Sequence, residues 1–301
     1  MPCALCLQEA ELRRSHIIPE FLYETLYDDK RRLHMLSIIP EQSNWLEQKG
    51  LRERLLCTTC EQRLSVWERY ASLVLKGGLP LTYRRKGNVV FISGLDYAQF
   101  KLFQLSILWR TGVSSLQFFE KVQLGKHAEL LRRQLLVGDP GSPERYGCFM
   151  FGLKFDDQAF TGVIVQPGKV RLNGHTAYRF VFGGFLWALL VSSHDLGAPL
   201  NQCTLSSSGE TVLLIRDAKD MKNLVSFSVE LGRMGREPPR RVLTPPSEPT
   251  HNGVPPLRSA HVERYCAKRS LAYLAGCKSP SGKGQPPTRI ECCACGGAPE
   301  W

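Results

Sequence analysis

Leu64, Trp67, Ala71 and Val74 recur at i, i+3, i+7 and i+10, the spacing of one face of an α-helix. Residues 61–76 are therefore predicted to form an amphipathic helix, ended by Gly77-Gly78-Leu79-Pro80. Glu61, Ser65 and Glu68 share an adjacent face of it. Further along, Phe100, Phe103, Leu105, Ile107, Leu108 and Trp109 point in nearly every direction around a helix over 96–110, and such a helix belongs in a core. A third helix is predicted over 125–136, closed by the turn cluster Gly138-Asp139-Pro140-Gly141. Near the N-terminus, Phe21, Leu22 and Leu26 also recur at helical spacing behind Pro19.

Strand patterns take over elsewhere. Residues 34–39 and 88–93 read as strands, and so do 146–155, 162–166, 177–182 and 211–215. Pro167-Gly168 and Asn173-Gly174 are turn signals between these runs and predict an antiparallel meander. Residues 185–193 form a buried strand or a short helix, and Gly183-Gly184 gives no assignable motif. The class is α+β: an N-terminal unit over 1–80, an α+β domain with an antiparallel sheet over 81–230 whose helices precede the sheet, and a tail over 231–301. The tail holds eleven of the nineteen prolines and eight of the glycines with no apolar period. Such a segment cannot bury enough surface to offset its conformational entropy, so it is expected to be disordered.

The chain has 301 residues, 43% of them hydrophobic, and a mean hydropathy of −0.19. This excludes collagen, a coiled-coil rod and a wholly disordered chain. The longest uncharged apolar stretch, 180–193, is short of the roughly 20 residues a membrane helix needs. The opening Met-Pro-Cys-Ala-Leu-Cys has no apolar signal core, so a cytoplasmic protein with no membrane partner is expected. The net charge of +11 invites a nucleic-acid partner. Most of the excess sits in the tail, however, where eleven basic residues face five acidic ones; residues 1–95 carry only +3.

Eleven cysteines without a secretory signal argue against a full disulfide framework. Cys3 and Cys6, and again Cys57 and Cys60, stand in C-x2-C spacing. Two such knuckles make a tetrahedral four-thiolate site for a structural Zn²⁺; two incidental dithiols are the plainer reading. Cys148 and Cys203 read as ordinary buried or half-buried thiols. Cys266, Cys277, Cys292, Cys293 and Cys295 fit no regular knuckle.

The order Cys3-x2-Cys6, Ser15-His16-Ile17-Ile18-Pro19, Leu56-Cys57-x2-Cys60-Glu61 resembles the zinc-stapled HNH endonuclease family over residues 1–75. The resemblance implies a ββα-metal unit. His16 would be the general base that deprotonates water for attack on a phosphodiester, beside a divalent ion such as Mg²⁺. Two positions depart from the family pattern: Ser15 stands where an acid usually precedes the histidine, and Glu61 where Asn or His opens the helix. Glu61 and Glu68 are then the candidate carboxylate ligands, with His34 approaching from the insert. Alternatively Glu61 caps its own helix and Glu68 is a solvated face residue. Arg13 and Arg14, with Arg31, Arg32, Arg52, Arg54 and Arg63 nearby, are candidate phosphate contacts on nucleic acid, DNA above all. Interleaved acids also allow a plain solvated face. Two other readings stand beside the endonuclease: a non-catalytic zinc module that contacts nucleic acid or a protein, and a zinc staple serving a functional second domain.

Overall fold

The computed structural model describes residues 1–35, 45–161, 163–172, 174–192, 197 and 200–220, with the backbone alone at 34, 35, 45 and 46. The chain opens on the Cys3–Cys6 knuckle and enters β1 (Leu12–His16). Strands β2 (Arg32–Met35) and β3 (Trp45–Gln48) pair antiparallel with each other, and β4 (Arg52–Cys57) returns antiparallel to β1. Helix α1 (Thr58–Leu75) starts without a linker. The predicted strand over 34–39 starts two residues earlier, and 36–39 lie outside the described residues.

Phe21, Leu22 and Leu26 do not build a helix; Glu20–Leu22 makes one 3-10 turn. Asp28 explains part of the difference. Its carboxylate accepts the backbone N–H groups of Lys30 and Arg32 and pairs with the Arg32 guanidinium, a local alternative to helical bonds.

The larger sheet begins with β5 (Thr82–Lys86) and β6 (Val89–Ser93). Helices α2 (Tyr97–Val113) and α3 (His127–Val137) follow, then β7 (Cys148–Phe155), β8 (Gln158–Ala159), β9 (Val165–Leu172), β10 (His175–Phe182), β11 (Phe185–Leu190) and β12 (Thr211–Asp217). The order is β5-β6-β12-β7-β11-β10-β9, with β8 on β7; every pair is antiparallel except β12–β7. The meander expectation therefore holds for β9-β10-β11 but not for the whole. β12 wedges between β6 and β7, and the β5–β6 hairpin precedes the helices instead of following them.

Pro167-Gly168 is not a turn. It lies inside β9, with a register shift opposite Arg179 to Val181. β9 is an edge strand, where proline's missing N–H breaks no ladder bond. The tight turn is instead Gly183-Gly184 between β10 and β11, with φ of +62° and +82°. Both central residues of that hairpin turn need positive φ, which glycine reaches without a Cβ clash.

Asp96 caps α2 by accepting the Gln99 N–H at 3.0 Å, and the helix is buried almost throughout. Lys101 is buried with it, and its ammonium donates to the Arg145 and Tyr146 carbonyls at 2.8 Å each. Burial lowers its pKa to about 8. Phe100 and Phe103 pack on Trp187 of the sheet, and α1 packs on α2. One apolar core thus runs from Cys3 to Ile215. A second cluster, including Phe149, Leu153, Leu186 and Leu190, occupies the other face of the sheet. Cys148 is buried and Cys203 half-buried, both free, as expected. Among the described residues no helix is long and apolar enough to cross a membrane. The tail over 231–301 and its five cysteines lie outside the described residues.

Candidate functional site

The two knuckles meet. The Leu7 N–H bonds the Cys3 carbonyl at 2.8 Å and the Cys3 N–H bonds the Gln8 carbonyl at 2.9 Å, which curls the first knuckle around its sulfurs. Cys57 is the N-cap of α1 and Cys60 sits in its first turn. The Ala4 N–H bonds the Leu55 carbonyl at 3.0 Å and so seats the first knuckle on β4.

All four Sγ atoms lie within 4.8 Å of one another, and Cys6 and Cys57 are 3.9 Å apart. A tetrahedral ion with zinc–sulfur bonds of about 2.3 Å separates its ligands by about 3.8 Å. The residues fit a structural Zn²⁺, with Cys3, Cys6, Cys57 and Cys60 as ligands. Burial alone would raise the Cys3 thiol, but N–H groups of Cys6, Cys57 and Leu5 aimed at its sulfur bring it down to about 7. Burial and the three neighbouring sulfurs push Cys60 well up. Four thiolates cannot share one pocket without a cation between them. Among the described residues this is the one group of three or more His, Cys, Asp or Glu side chains able to hold a metal ion.

Ser15 serves the strand pairing itself. The β1–β4 pairing shifts between Arg13 and Arg14, so that Leu55 is an extra residue on β4, a β-bulge. Ser15 is 1% exposed, and its hydroxyl accepts the Leu56 N–H at 3.2 Å. It repairs the ladder where the bulge breaks it.

His16 ends β1. Its Nε2 lies 2.7 Å from the Lys49 carbonyl oxygen, and since a carbonyl only accepts, Nε2 carries the proton. Nδ1 is then the basic nitrogen. The Lys49 carbonyl is aimed by a left-handed turn, with φ of +61° at Lys49 and +70° at Gly50. A side chain at Gly50 would meet the Tyr23 ring at 2.7 Å. Burial lowers the His16 pKa, partly countered by the Lys49 bond and by Glu20, whose carboxylate is 3.5 Å from Nε2.

Glu68 sits on the α1 face toward α2. Its carboxylate meets the Arg110 guanidinium at 2.7 Å, and the same nitrogen donates to the His16 carbonyl at 2.7 Å. Arg110 is 1% exposed. Glu20 and Glu68 both line a cleft of about 300 Å³ with Phe21, Ser65, Arg69, Ser72 and Leu73. Glu61 lies elsewhere in α1; its Oε1 is buried with no hydrogen-bond partner. His16, Glu61 and Glu68 do not gather into a second ligand group. The side chain of His34 lies outside the described residues.

Arg13 donates to the Thr58 hydroxyl at 2.9 Å and is tied to the start of α1. Arg14 is exposed opposite Arg54. Arg32 is paired with Asp28, and Arg63 donates to the Leu136 carbonyl. Sequence reasoning missed Glu20, the Lys49 carbonyl and Arg110. Glu20 had a signal, its i+4 spacing from His16. Arg110 had a weaker one, as an arginine closing an apolar helix. A backbone carbonyl has none. Compared with known proteins, the chain matches no family model, no curated protein and no solved structure.

Proposed function

We propose that the chain is a divergent, zinc-stapled ββα-metal hydrolase of nucleic-acid phosphodiester bonds, in which His16 activates water. One observation carries this reading: the Lys49 carbonyl fixes the tautomer of a histidine at the end of β1, leaving Nδ1 as the base. The setting supports it. Two antiparallel strands lead straight into α1, with a four-cysteine cluster at the junction. Burial keeps the imidazole neutral near pH 7, the form a general base needs. A catalytic divalent ion such as Mg²⁺ would draw on oxygen ligands. Glu20 and Glu68 on the cleft are carboxylates whose charge acts on His16, while Glu61 lies about two turns of α1 away from Glu68.

The alternative is a non-catalytic zinc module that contacts nucleic acid or a protein. It is favoured by the Glu68–Arg110 pair, which already spends the Glu68 charge. Nicking of supercoiled plasmid in Mg²⁺ or Mn²⁺ separates the two. The hydrolase reading expects His16→Ala to abolish nicking while zinc content stays unchanged. Equal nicking by wild type and variant would remove His16 from catalysis.

A further inference from the structure

In the β1–β4 ribbon Arg14 lies directly opposite Arg54, and His16 directly opposite Arg52. Directly opposed residues, and residues two apart along a strand, project from one face. One face of the ribbon therefore carries three guanidinium groups and an imidazole on two neighbouring rungs. The other face is committed elsewhere: Ser15 is buried, and Glu53 accepts hydrogen bonds from Ser114 and Ser115.

Like charges placed directly opposite each other destabilise a strand pair. Among the described residues, Arg14, Arg52 and Arg54 make no ion pair that offsets this. The acid at this face is Glu20, beside His16 at the far rung. Arg14 and Arg54 are exposed, and Arg54 also reaches the Leu12 carbonyl at 3.4 Å. Arg52 is half-buried, and its Nε is enclosed with no hydrogen-bond partner. Such a ladder is unfavourable alone and favourable with a polyanion laid along it.

We propose that this face is a track for the phosphodiester backbone of a nucleic-acid strand, with Arg14 and Arg54 holding one phosphate and Arg52 steering the next toward His16. The track rests on the function proposed above, since it supplies the substrate of the same site. The planar guanidinium fork matches phosphate oxygens two at a time. Arg13 is not part of the track, because Thr58 holds it.

Binding of a fluorescein-labelled DNA strand to the full chain, followed by anisotropy across a salt series without added Mg²⁺, tests this. The comparison is wild type, R14Q/R54Q, and a control, K121Q/K126Q, that removes the same charge elsewhere. Zinc content and far-ultraviolet dichroism show that each variant is folded. R14Q/R54Q is expected to bind at least tenfold more weakly and to lower the salt slope by about 0.7, the loss for one phosphate contact on a single strand. Equal affinity and slope in R14Q/R54Q and the control would overturn the track. An acidic polypeptide that competes as well as DNA of equal charge would also overturn it, in favour of a protein partner. A wild type that binds through these arginines but cuts nothing in Mg²⁺ or Mn²⁺ supports the track and removes the hydrolase. A cutting wild type whose R14Q/R54Q form keeps its KM removes the track and leaves the hydrolase.

Discussion

His16 shows how one side chain can be tuned by groups with no sequence signature. Its ring is largely enclosed, the Lys49 carbonyl fixes one nitrogen, and Glu20 stands beside it. Because burial outweighs these partners, the folded pKa lies below the ordinary value of 6.5. The neutral form is favoured in the fold. That contribution to stability is fully present above pH 6.5 and is lost as pH falls through the lowered folded value. Activity that uses His16 as a base should rise over the same interval and level off by pH 7. A profile of initial nicking rate against pH checks this, and a rising limb centred well above 7 would contradict it. Arg110 makes a second residue-scale case. Breaking a buried ion pair from one side strands a charge, at a cost of about 3 kcal/mol. Glu68→Ala should therefore lower stability strongly, and adding Arg110→Met should recover part of the loss. Urea unfolding of both singles and the double measures the coupling.

At the scale of elements, the bulge in β4 decides what Ser15 can do. The extra Leu55 lets its carbonyl bind Ala4 of the first knuckle while Ser15 bonds the Leu56 N–H. Strand pairing and metal site are thereby coupled through one irregularity. Ser15→Ala should cost about 1–2 kcal/mol, the loss of a buried hydrogen bond with one partner left unmet. Ser15→Asp buries a carboxylate in a closed position. It should destabilise the fold more than Ser15→Ala and confer no gain in nicking. Thermal unfolding beside a plasmid assay reads both. The same scale explains α2, whose apolar face is legible in sequence while its three long polar side chains are not. Lys101, Gln104 and Arg110 are buried because carbonyls, a sulfur and a carboxylate meet them. Those partners come from other elements.

For the whole molecule, the four-cysteine cluster and the larger sheet share one core, since α1 packs on α2 and α2 on the sheet through Trp187. Removal of zinc should therefore be felt beyond residues 1–80. Structural zinc supplies folding free energy directly, and its loss leaves four crowded thiols to repel or oxidise. A chelator is expected to lower Tm by more than 10 °C, and readdition of Zn²⁺ under reducing conditions to restore it. Calorimetry with and without chelator checks this; an unchanged Tm would mean the cysteines hold no ion that the fold depends on.

The sequence by itself determined the features that depend on short-range periodicity and spacing. Helix α1 and the core helix α2 follow from 3.6-residue apolar patterns, and the cluster of four cysteines from two C-x2-C spacings. Hairpin β9–β10 follows from the Asn173-Gly174 turn signal in the sequence. The tertiary structure alone decided what depends on residues far apart in the chain. It set β12 between β6 and β7, turned Pro167-Gly168 into edge strand, and brought Lys49 and Glu20 to His16 and Arg110 to Glu68. It also turned two separate runs of basic residues into the Arg14–Arg54 and His16–Arg52 rungs. Local patterns report which face of an element is apolar. Which elements meet, and in what register, is fixed by packing free energy summed over the whole core, and no single window of sequence contains it.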